Sequence, residues 1–365
     1  MKKLCKILAV TAGIVAMGLT ACGEKTYEIA VVTDVGSLKD GGFNEGTYNG
    51  AVEYGKENNK TVQYYQPANG SDATDNDREN AFRQAIKNGA KIIVTPGFLQ
   101  AAALETVSVE SPETKFVFVD GWNIGKANVT AISYKEQESS YLAGYAVVKD
   151  GYTKIGGTFG GGGSNPACNR YAYGYLEGAQ AAAKELGVTV DLKLSFKYGE
   201  SFSASTELQT QISSWYKAGT EVVFSCGGSM VDSVLAAANG TTNGKVVGVD
   251  VDQAPLSTRV ITSAVKGLTP SVKKVLGQFY KGEWDSKLAD KTSNLGAADD
   301  ATGLPTAKDS WRFNKFTVAE YEALFAKIKN GSLVPATPSA ADCNDTSFWA
   351  LENTKHPNVN ISFEK

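Results

Sequence analysis

Short apolar runs alternate along this chain with longer stretches whose apolar positions recur at helical spacing. Glu28–Thr33, Thr61–Gln66, Lys91–Thr95, Lys115–Asp120 and Val129–Ser133 read as strands. Asn44–Glu57, Asp75–Asn88 and Phe98–Val107 between them read as helices. After a helical stretch at Glu136–Lys149 a second set begins. Its strands are Lys154–Phe159, Val188–Ser195, Glu221–Ser225 and Lys245–Val249, and its helices are Asn169–Leu186, Ser203–Ala218 and Met230–Ala238. Strands that alternate with helices imply βαβ units and parallel sheets. The pattern therefore predicts one doubly wound α/β motif used twice, and two such domains joined at an edge form a cleft.

The remainder is less regular. Arg259–Val265 reads as a strand and Pro270–Lys281 as a helix with proline in its first turn. Asp285–Pro305 is polar and rich in glycine, alanine and aspartate, which predicts loop with an edge strand. Val318–Lys329 reads as a final helix stopped by Asn330-Gly331. Residues 335–365 carry Phe348, Trp349, Ile361 and Phe363 and are expected to pack on the surface as a late extension.

The first residues bear on location. Lys2 and Lys3 precede an apolar stretch from Leu4 to Met17, broken only by Lys6, and Leu19-Thr20-Ala21-Cys22 follows. This is the form of a secretory signal, and it resembles a bacterial lipobox. The expected mature chain starts at Cys22 with lipid on its sulfur, anchored to the bacterial cell membrane and facing its extracytoplasmic side. The apolar stretch is short for a permanent span, which needs about 20 residues. Two acyl chains give stable anchoring where one is marginal.

Processing leaves roughly 340 of the 365 residues, room for two domains of about 100–200 each. The 36 Lys+Arg and 39 Asp+Glu form no long run of either sign, which argues against nucleic acid as a partner. There is one histidine, His356, so histidine-based metal sites and catalytic triads are not expected. Of the five cysteines, Cys5 lies in the signal and Cys22 carries lipid, leaving Cys168, Cys226 and Cys343. An odd number in an exported protein leaves at least one thiol free or paired with a partner. A Cys168–Cys226 bridge and free thiols both remain open.

The most pointed chemistry lies at the end of the first strand. Val31-Val32-Thr33-Asp34-Val35-Gly36 is followed by Asp40-Gly41-Gly42-Phe43-Asn44. Ligands of open α/β sheets sit beyond the carboxyl ends of the strands. Asp34, Phe43 and Asn44 would stand at that edge. An acid, a flat ring and an amide suit a small polar ligand with an aromatic face. Gly160–Gly163 lacks the Gly-Lys-Ser/Thr ending of a phosphate loop. Asp250 and Asp252 form an Asp-x-Asp without further clustered acids, so no metal and no cofactor is expected.

A set of stretches carries a family resemblance: Val32–Gly36 with Gly42-Phe43-Asn44; Phe116–Asp120; Glu138–Gly144; Ala218–Phe224; Val246–Gln253; and Thr262–Lys266. In this order and with these gaps the chain, over roughly residues 27 to 335, resembles the basic membrane protein family of lipoproteins, the substrate-binding components of purine-nucleoside ABC importers. The resemblance implies a type I periplasmic-binding-protein fold, two doubly wound parallel-sheet domains with the ligand cleft between them. It implies a purine held between Phe43 and Phe202, with Phe196 an alternative to Phe202. It further implies polar contacts from Asp34, Asn44, Asp120, Asp250 and Lys266, and backbone approach at Gly228. Asp250 and Lys266 would grip the ribose, and which of Asp34 and Asp120 meets the base stays open. Met230, Trp122 and the glycine-rich Gly160–Gly163 depart from the family pattern near the cleft.

The expected organisation is a signal at 1–21, a lipidated tether at 22–27, a first domain of 28–133 plus about 253–292, a second of 134–252 plus about 293–335, and an extension at 336–365. The expected function is binding and delivery without bond chemistry: a monomer that takes adenosine, guanosine or inosine and hands it to an ABC permease and ATPase. The alternatives are a sugar or signalling molecule in the same fold, a surface nucleoside hydrolase, or a sensory or adhesion lipoprotein.

Overall fold

Strands whose side chains are buried on both faces dominate the computed structural model, which describes residues 26–35 and 37–365. The signal peptide and Cys22 lie outside the described residues. The first sheet has strand order β11-β5-β4-β3-β1-β2, built from β1 (Ile29–Val32), β2 (Val62–Tyr65), β3 (Ile92–Pro96), β4 (Lys115–Val119), β5 (Val129–Tyr134) and β11 (Lys291–Leu295). The second has order β12-β10-β9-β8-β6-β7-β13, from β6 (Lys154–Phe159), β7 (Val190–Ser195), β8 (Val222–Cys226), β9 (Lys245–Asp250), β10 (Val260–Lys266), β12 (Thr302–Gly303) and β13 (Val359–Glu364). All pairings are parallel except β10 with β12. Near-continuous apolar strands such as Ile29–Val32 and Val222–Cys226 are what a sheet covered on both faces requires.

Helices cover those faces. α1 (Phe43–Glu57), α2 (Asp75–Lys87) and α3 (Ala101–Glu110) serve the first sheet, with α8 (Leu268–Tyr280) packed beside α1. α4 (Glu136–Lys149), α5 (Pro166–Leu186), α6 (Thr206–Lys217), α7 (Met230–Asn239), α9 (Val318–Lys329) and α10 (Thr346–Lys355) serve the second. The ends of α5 are set locally. Asn165 Oδ1 accepts from Cys168 N–H, Pro166 stands in the first turn, and Gly187 stops the helix in the left-handed conformation. Among the described residues the chain passes between the sheets after β5, after β10 and after β11.

Three expectations need correction. The segment 253–292 does not go as a unit to the first domain: β10 pairs with β9 in the second sheet, Val265 opposite Asp250. The apolar pattern of 260–266 suits either sheet, and the short link from β9 favours the neighbouring position. β11, at 291–295, instead extends the first sheet beside β5. The extension is not merely surface cover. After α9 the chain forms α10, and β13 then adds an edge strand parallel to β7, with Trp349, Phe348 and Val359 buried in the second core.

Candidate ligand-binding site

Carboxyl ends of strands from both sheets converge on one cavity with about 640 Å³ of atom-free space, part of it open to solvent. Asp34 follows β1, Gly97 and Phe98 follow β3, and Asp120 follows β4. From the other side come Asn165 and Phe202, Gly227–Ser229 after β8, Asp250 ending β9 and Lys266 ending β10. All eight residues expected at the ligand, Asp34, Phe43, Asn44, Asp120, Phe202, Gly228, Asp250 and Lys266, line this cavity. Phe196 does not; it is fully buried against Phe159. Met230 is buried in the α6–α7 core, and Trp122 packs on Phe118.

The first-domain wall is preorganised by backbone donors. Asp34 Oδ1 accepts from Val35 N–H at 2.6 Å. Gly97 makes room for that carboxylate: its φ is +104°, and a Cβ there would lie 1.9 Å from Asp34 Oδ2. Burial pushes Asp34 up to about 7. The Asn44 amide donates to the carbonyls of Val35 (3.0 Å) and Ser37 (3.3 Å), which fixes which end of the amide is nitrogen. Its Oδ1 is buried with no protein partner.

Asp40 is a lining residue that the sequence pattern did not single out. Gly42 at the N-cap of α1 has no side chain to cap the helix. Asp40 does so instead, its carboxylate accepting from the N–H groups of Gly42 (2.9 Å), Asn44 (3.0 Å) and Glu45 (3.1 Å). Phe43 and Asn44 are thereby held at the cavity edge. Burial pushes Asp40 up to about 6 despite those three donors.

The opposite wall centres on Lys266, whose side chain is 2% exposed. Its ammonium lies 2.5 Å from Asp120 Oδ2 and 3.4 Å from both Glu136 Oε1 and Asp250 Oδ1. Burial works against that charge, but the carboxylates of Asp120, Asp250 and Glu136 outweigh it and hold the lysine well above its ordinary pKa. It also stands 4.9 Å from the centre of the Phe43 ring. Arg170 Nε donates to Glu136 Oε2 at 2.6 Å, and the Tyr171 hydroxyl donates to Asp250 Oδ1 at 3.3 Å. Three carboxylates thus face two cations. Burial lifts Asp120 above the usual carboxylate range while Lys266 pulls it back, and Asp120 Oδ1 has no protein partner.

Three lining residues are held in the left-handed backbone region: Asp120 (φ 56°), Phe202 (φ 56°) and Asp250 (φ 65°). Each such residue costs about 1–3 kcal/mol and persists only where its surroundings over-determine it. Phe202 is so held because Gly227 and Gly228 leave room: a Cβ on Gly228 would lie 2.6 Å from the Phe202 carbonyl oxygen. Asp120 and Asp250 end the corresponding fourth strands of the two domains' βα series, and both meet Lys266. Asp252 is engaged elsewhere, accepting from Ala254 N–H at 3.0 Å and from the Ser310 hydroxyl.

A family model described as Bmp, ABC transporter substrate-binding protein PnrA-like, matches residues 27–335. The chain belongs to this Bmp family. A Lactococcus lactis relative called ABC transporter nucleoside-binding protein BmpA is 30% identical over 291 residues, 74% of this chain and 79% of its own. A Listeria monocytogenes relative called CD4+ T-cell-stimulating antigen is 26% identical over 376 residues, 93% of this chain and all of its own length. A solved ABC transporter solute-binding protein from Aeropyrum pernix superposes with a TM-score of 0.73 at 22% identity, covering 91% of this chain and 98% of its own. It shares the fold, the periplasmic-binding-protein arrangement of parallel sheets flanked by helices.

Within this Bmp chain, Glu136, Arg170 and Tyr171 escaped sequence reasoning. Tyr171 sits mid-pattern in α5 and reads as core, and Glu136 reads as an ordinary first-turn acid. Cys168, Cys226 and Cys343 are free and buried. Among the described residues no helix is long and apolar enough to cross a membrane.

Proposed function

We propose that this ABC transporter substrate-binding protein takes a purine nucleoside into the cavity and delivers it to an ABC permease and its ATPase. On this reading the mature chain is a monomer anchored through lipid on Cys22 at the extracytoplasmic face. The observation that carries it is a pair of buried acceptors without protein partners, Asn44 Oδ1 and Asp120 Oδ1, on residues that line a cavity bearing an aromatic ring from each domain. A buried acceptor left unmet costs about 1–3 kcal/mol, so a ligand that donates to both is strongly favoured. Phe43 and Phe202 hold the two faces of the base, and stacking on an aromatic is worth about 1–3 kcal/mol.

The two walls divide the ligand. Asp34 and Asn44 are tied to one another through Val35 and meet the base edge. Because the Asn44 nitrogen is already spent on two carbonyls, Asn44 offers that edge only its Oδ1 acceptor and selects bases with N–H donors: adenine by its amino group, guanine by its amino group and N1–H, hypoxanthine by N1–H alone. Asp120, Asp250 and Lys266 meet the ribose hydroxyls. The Lactococcus relative is called a nucleoside-binding protein, which supports a nucleoside as the ligand. The proposed work is binding, closure and release, driven by the ligand's differential affinity for the closed form.

Calorimetric titration of the purified chain with adenosine, guanosine, inosine, the free bases and unsubstituted purine riboside tests the reading. The nucleosides are expected to bind, the free bases much more weakly, and purine riboside, which has no donor on the base edge, weakly as well. Absence of binding by any of the three nucleosides overturns it. Chromatography of the same mixtures is expected to return each nucleoside unchanged. Free base released in proportion to protein would move the chain to the hydrolases. Cys22→Ala is expected to leave the membrane fraction or to remain unprocessed.

A further inference from the structure

Two thiols stand in the wall of the cavity, and the binding chemistry uses neither. Cys168 lies in the first turn of α5, its N–H held by Asn165 Oδ1 at 2.9 Å. Cys226 is the last residue of β8 and its carbonyl accepts from Gly160 N–H at 2.7 Å. Both are buried, both line the cavity, and their sulfur atoms are 4.0 Å apart. A disulfide spans about 2.05 Å, so bond formation asks the two sulfurs to close by about 2 Å. Cys343 does not line the cavity; its backbone N–H donates to the Gly163 carbonyl from the C-terminal segment.

Each thiol is mechanically joined to ligand-facing groups. Cys226 runs directly into Gly227 and Gly228, against which Phe202 is seated: a Cβ on Gly227 would stand 3.2 Å from the Phe202 ring. Cys168 shares its helix turn with Arg170 and Tyr171, the partners of Glu136 and Asp250. Drawing the sulfurs together therefore moves the stacking face and the anchors of the acid cluster at once. A ligand seated between Phe43 and Phe202 covers the same wall.

We infer that Cys168 and Cys226 form a reversible dithiol–disulfide site in the cavity wall, oxidised by small-molecule disulfides when the cavity is empty and shielded when it is filled, and that oxidation weakens ligand binding. The exchange balances without any other reactant. One protein thiolate attacks a sulfur of the small disulfide, forming a mixed disulfide and expelling one small thiolate. The second protein thiolate attacks the protein sulfur of that mixed disulfide, closing the Cys168–Cys226 bond and expelling the other. Two protein thiols are oxidised, two small thiols are formed, and the two protons leave on them. Burial raises the Cys226 thiol well above its ordinary value, so the exchange is slow.

The test uses the full chain, reduced and then exposed to oxidised glutathione with and without adenosine. The expected product without adenosine is an intact mass lighter by two hydrogens, with a Cys168–Cys226 cross-linked peptide after digestion. Saturating adenosine is expected to slow its formation. Oxidation is expected to weaken adenosine binding by about tenfold, the loss of much of one stacking face, and a reductant to restore it. Cys168→Ser and Cys226→Ser should each give a glutathione adduct in place of the bridge, whereas Cys343→Ser should still lose two hydrogens. A bridge to Cys343, no bridge, or a complete bridge with unchanged adenosine affinity each overturns the inference. The effect on affinity rests on the nucleoside reading of the cavity. The mass measurement without adenosine does not, so a reduced chain that binds no nucleoside removes that reading while the bridge itself is still decided.

Discussion

Lys266 Nζ lies 2.5 Å from Asp120 Oδ2, pairing the last residue of a second-sheet strand with the acid that follows a strand of the first. The pair crosses the cleft, and Asp250 and Glu136 complete a ring of acid around the same ammonium. Removing one partner of a buried pair is costly because the other charge stays behind. Lys266→Met is therefore expected to destabilise the chain by about 3–5 kcal/mol at pH 8. The loss should shrink toward pH 5, where the stranded Asp120 and Asp250 carboxylates, both already raised by burial, can take up protons. Urea unfolding at the two pH values measures both, and an equal loss at each would place the effect in packing rather than charge.

Asp34 behaves in the opposite way to a salt-bridged acid. Burial raises its pKa from the ordinary carboxylate value to about 7. The folded chain holds this proton more tightly than the unfolded chain, so the contribution to stability is complete below about pH 4 and is lost as the pH rises through about 7. Ligand-free Asp34→Asn should therefore gain on the wild type between pH 4 and 8, by about 1–4 kcal/mol. Thermal melts across that range are the measurement. A difference that does not change with pH would mean that Asp34 is not the group that titrates.

Phe43 is only partly buried, so its loss should fall on ligand more than on fold. Phe43→Ala is expected to weaken nucleoside binding by about 1–3 kcal/mol with a melting temperature near that of the wild type. Phe43→Trp should bind better than Phe43→Leu, because a flat π-face is what the base needs. Phe43→Ala with undiminished affinity would remove the ring from the site.

Gly97 offers a test of geometry without charge. Gly97→Ala puts a methyl group into the space of the Asp34 carboxylate and forces alanine to a φ of +104°. It should lower stability by roughly 1–3 kcal/mol and impair binding along with it. Gly277→Ala, inside α8 with its nearest neighbour at 3.8 Å, should instead be neutral or stabilising by up to about 1 kcal/mol. Paired melts and titrations separate the two.

Much of this was legible in residue order. Buried parallel strands announce themselves as apolar runs, and Asp34 could be placed because it stands where such a run stops. Asp120, Asp250 and Lys266 also stand at the ends of such runs, but the family resemblance was what marked them as site residues. Sheet membership was not legible for Val260–Lys266, since alternation and composition carry no address and pairing with β9 is a tertiary choice. Asp40 was hidden for another reason: helix caps are read from the residue next to the helix, and here the capping carboxylate reaches over two glycines. Glu136 and Tyr171 look like ordinary helix residues until the fold brings Lys266 to them. The C-terminal strand was obscured by polar residues, which an edge position tolerates.

The helix α8 follows a strand of the second sheet, yet Leu268, Val272, Val275 and Leu276 fill the core beneath Ile29 and Val31. A ribosome making this chain finishes β1 to β5 long before it reaches those residues, and β11 arrives later still. The N-terminal half must therefore wait, with part of its apolar surface uncovered, until nearly the whole second sheet has been synthesised. Non-local closure of this kind is slow and leaves the nascent chain prone to association. For a polypeptide expected to be exported, such a delay helps: a core that cannot close early stays threadable.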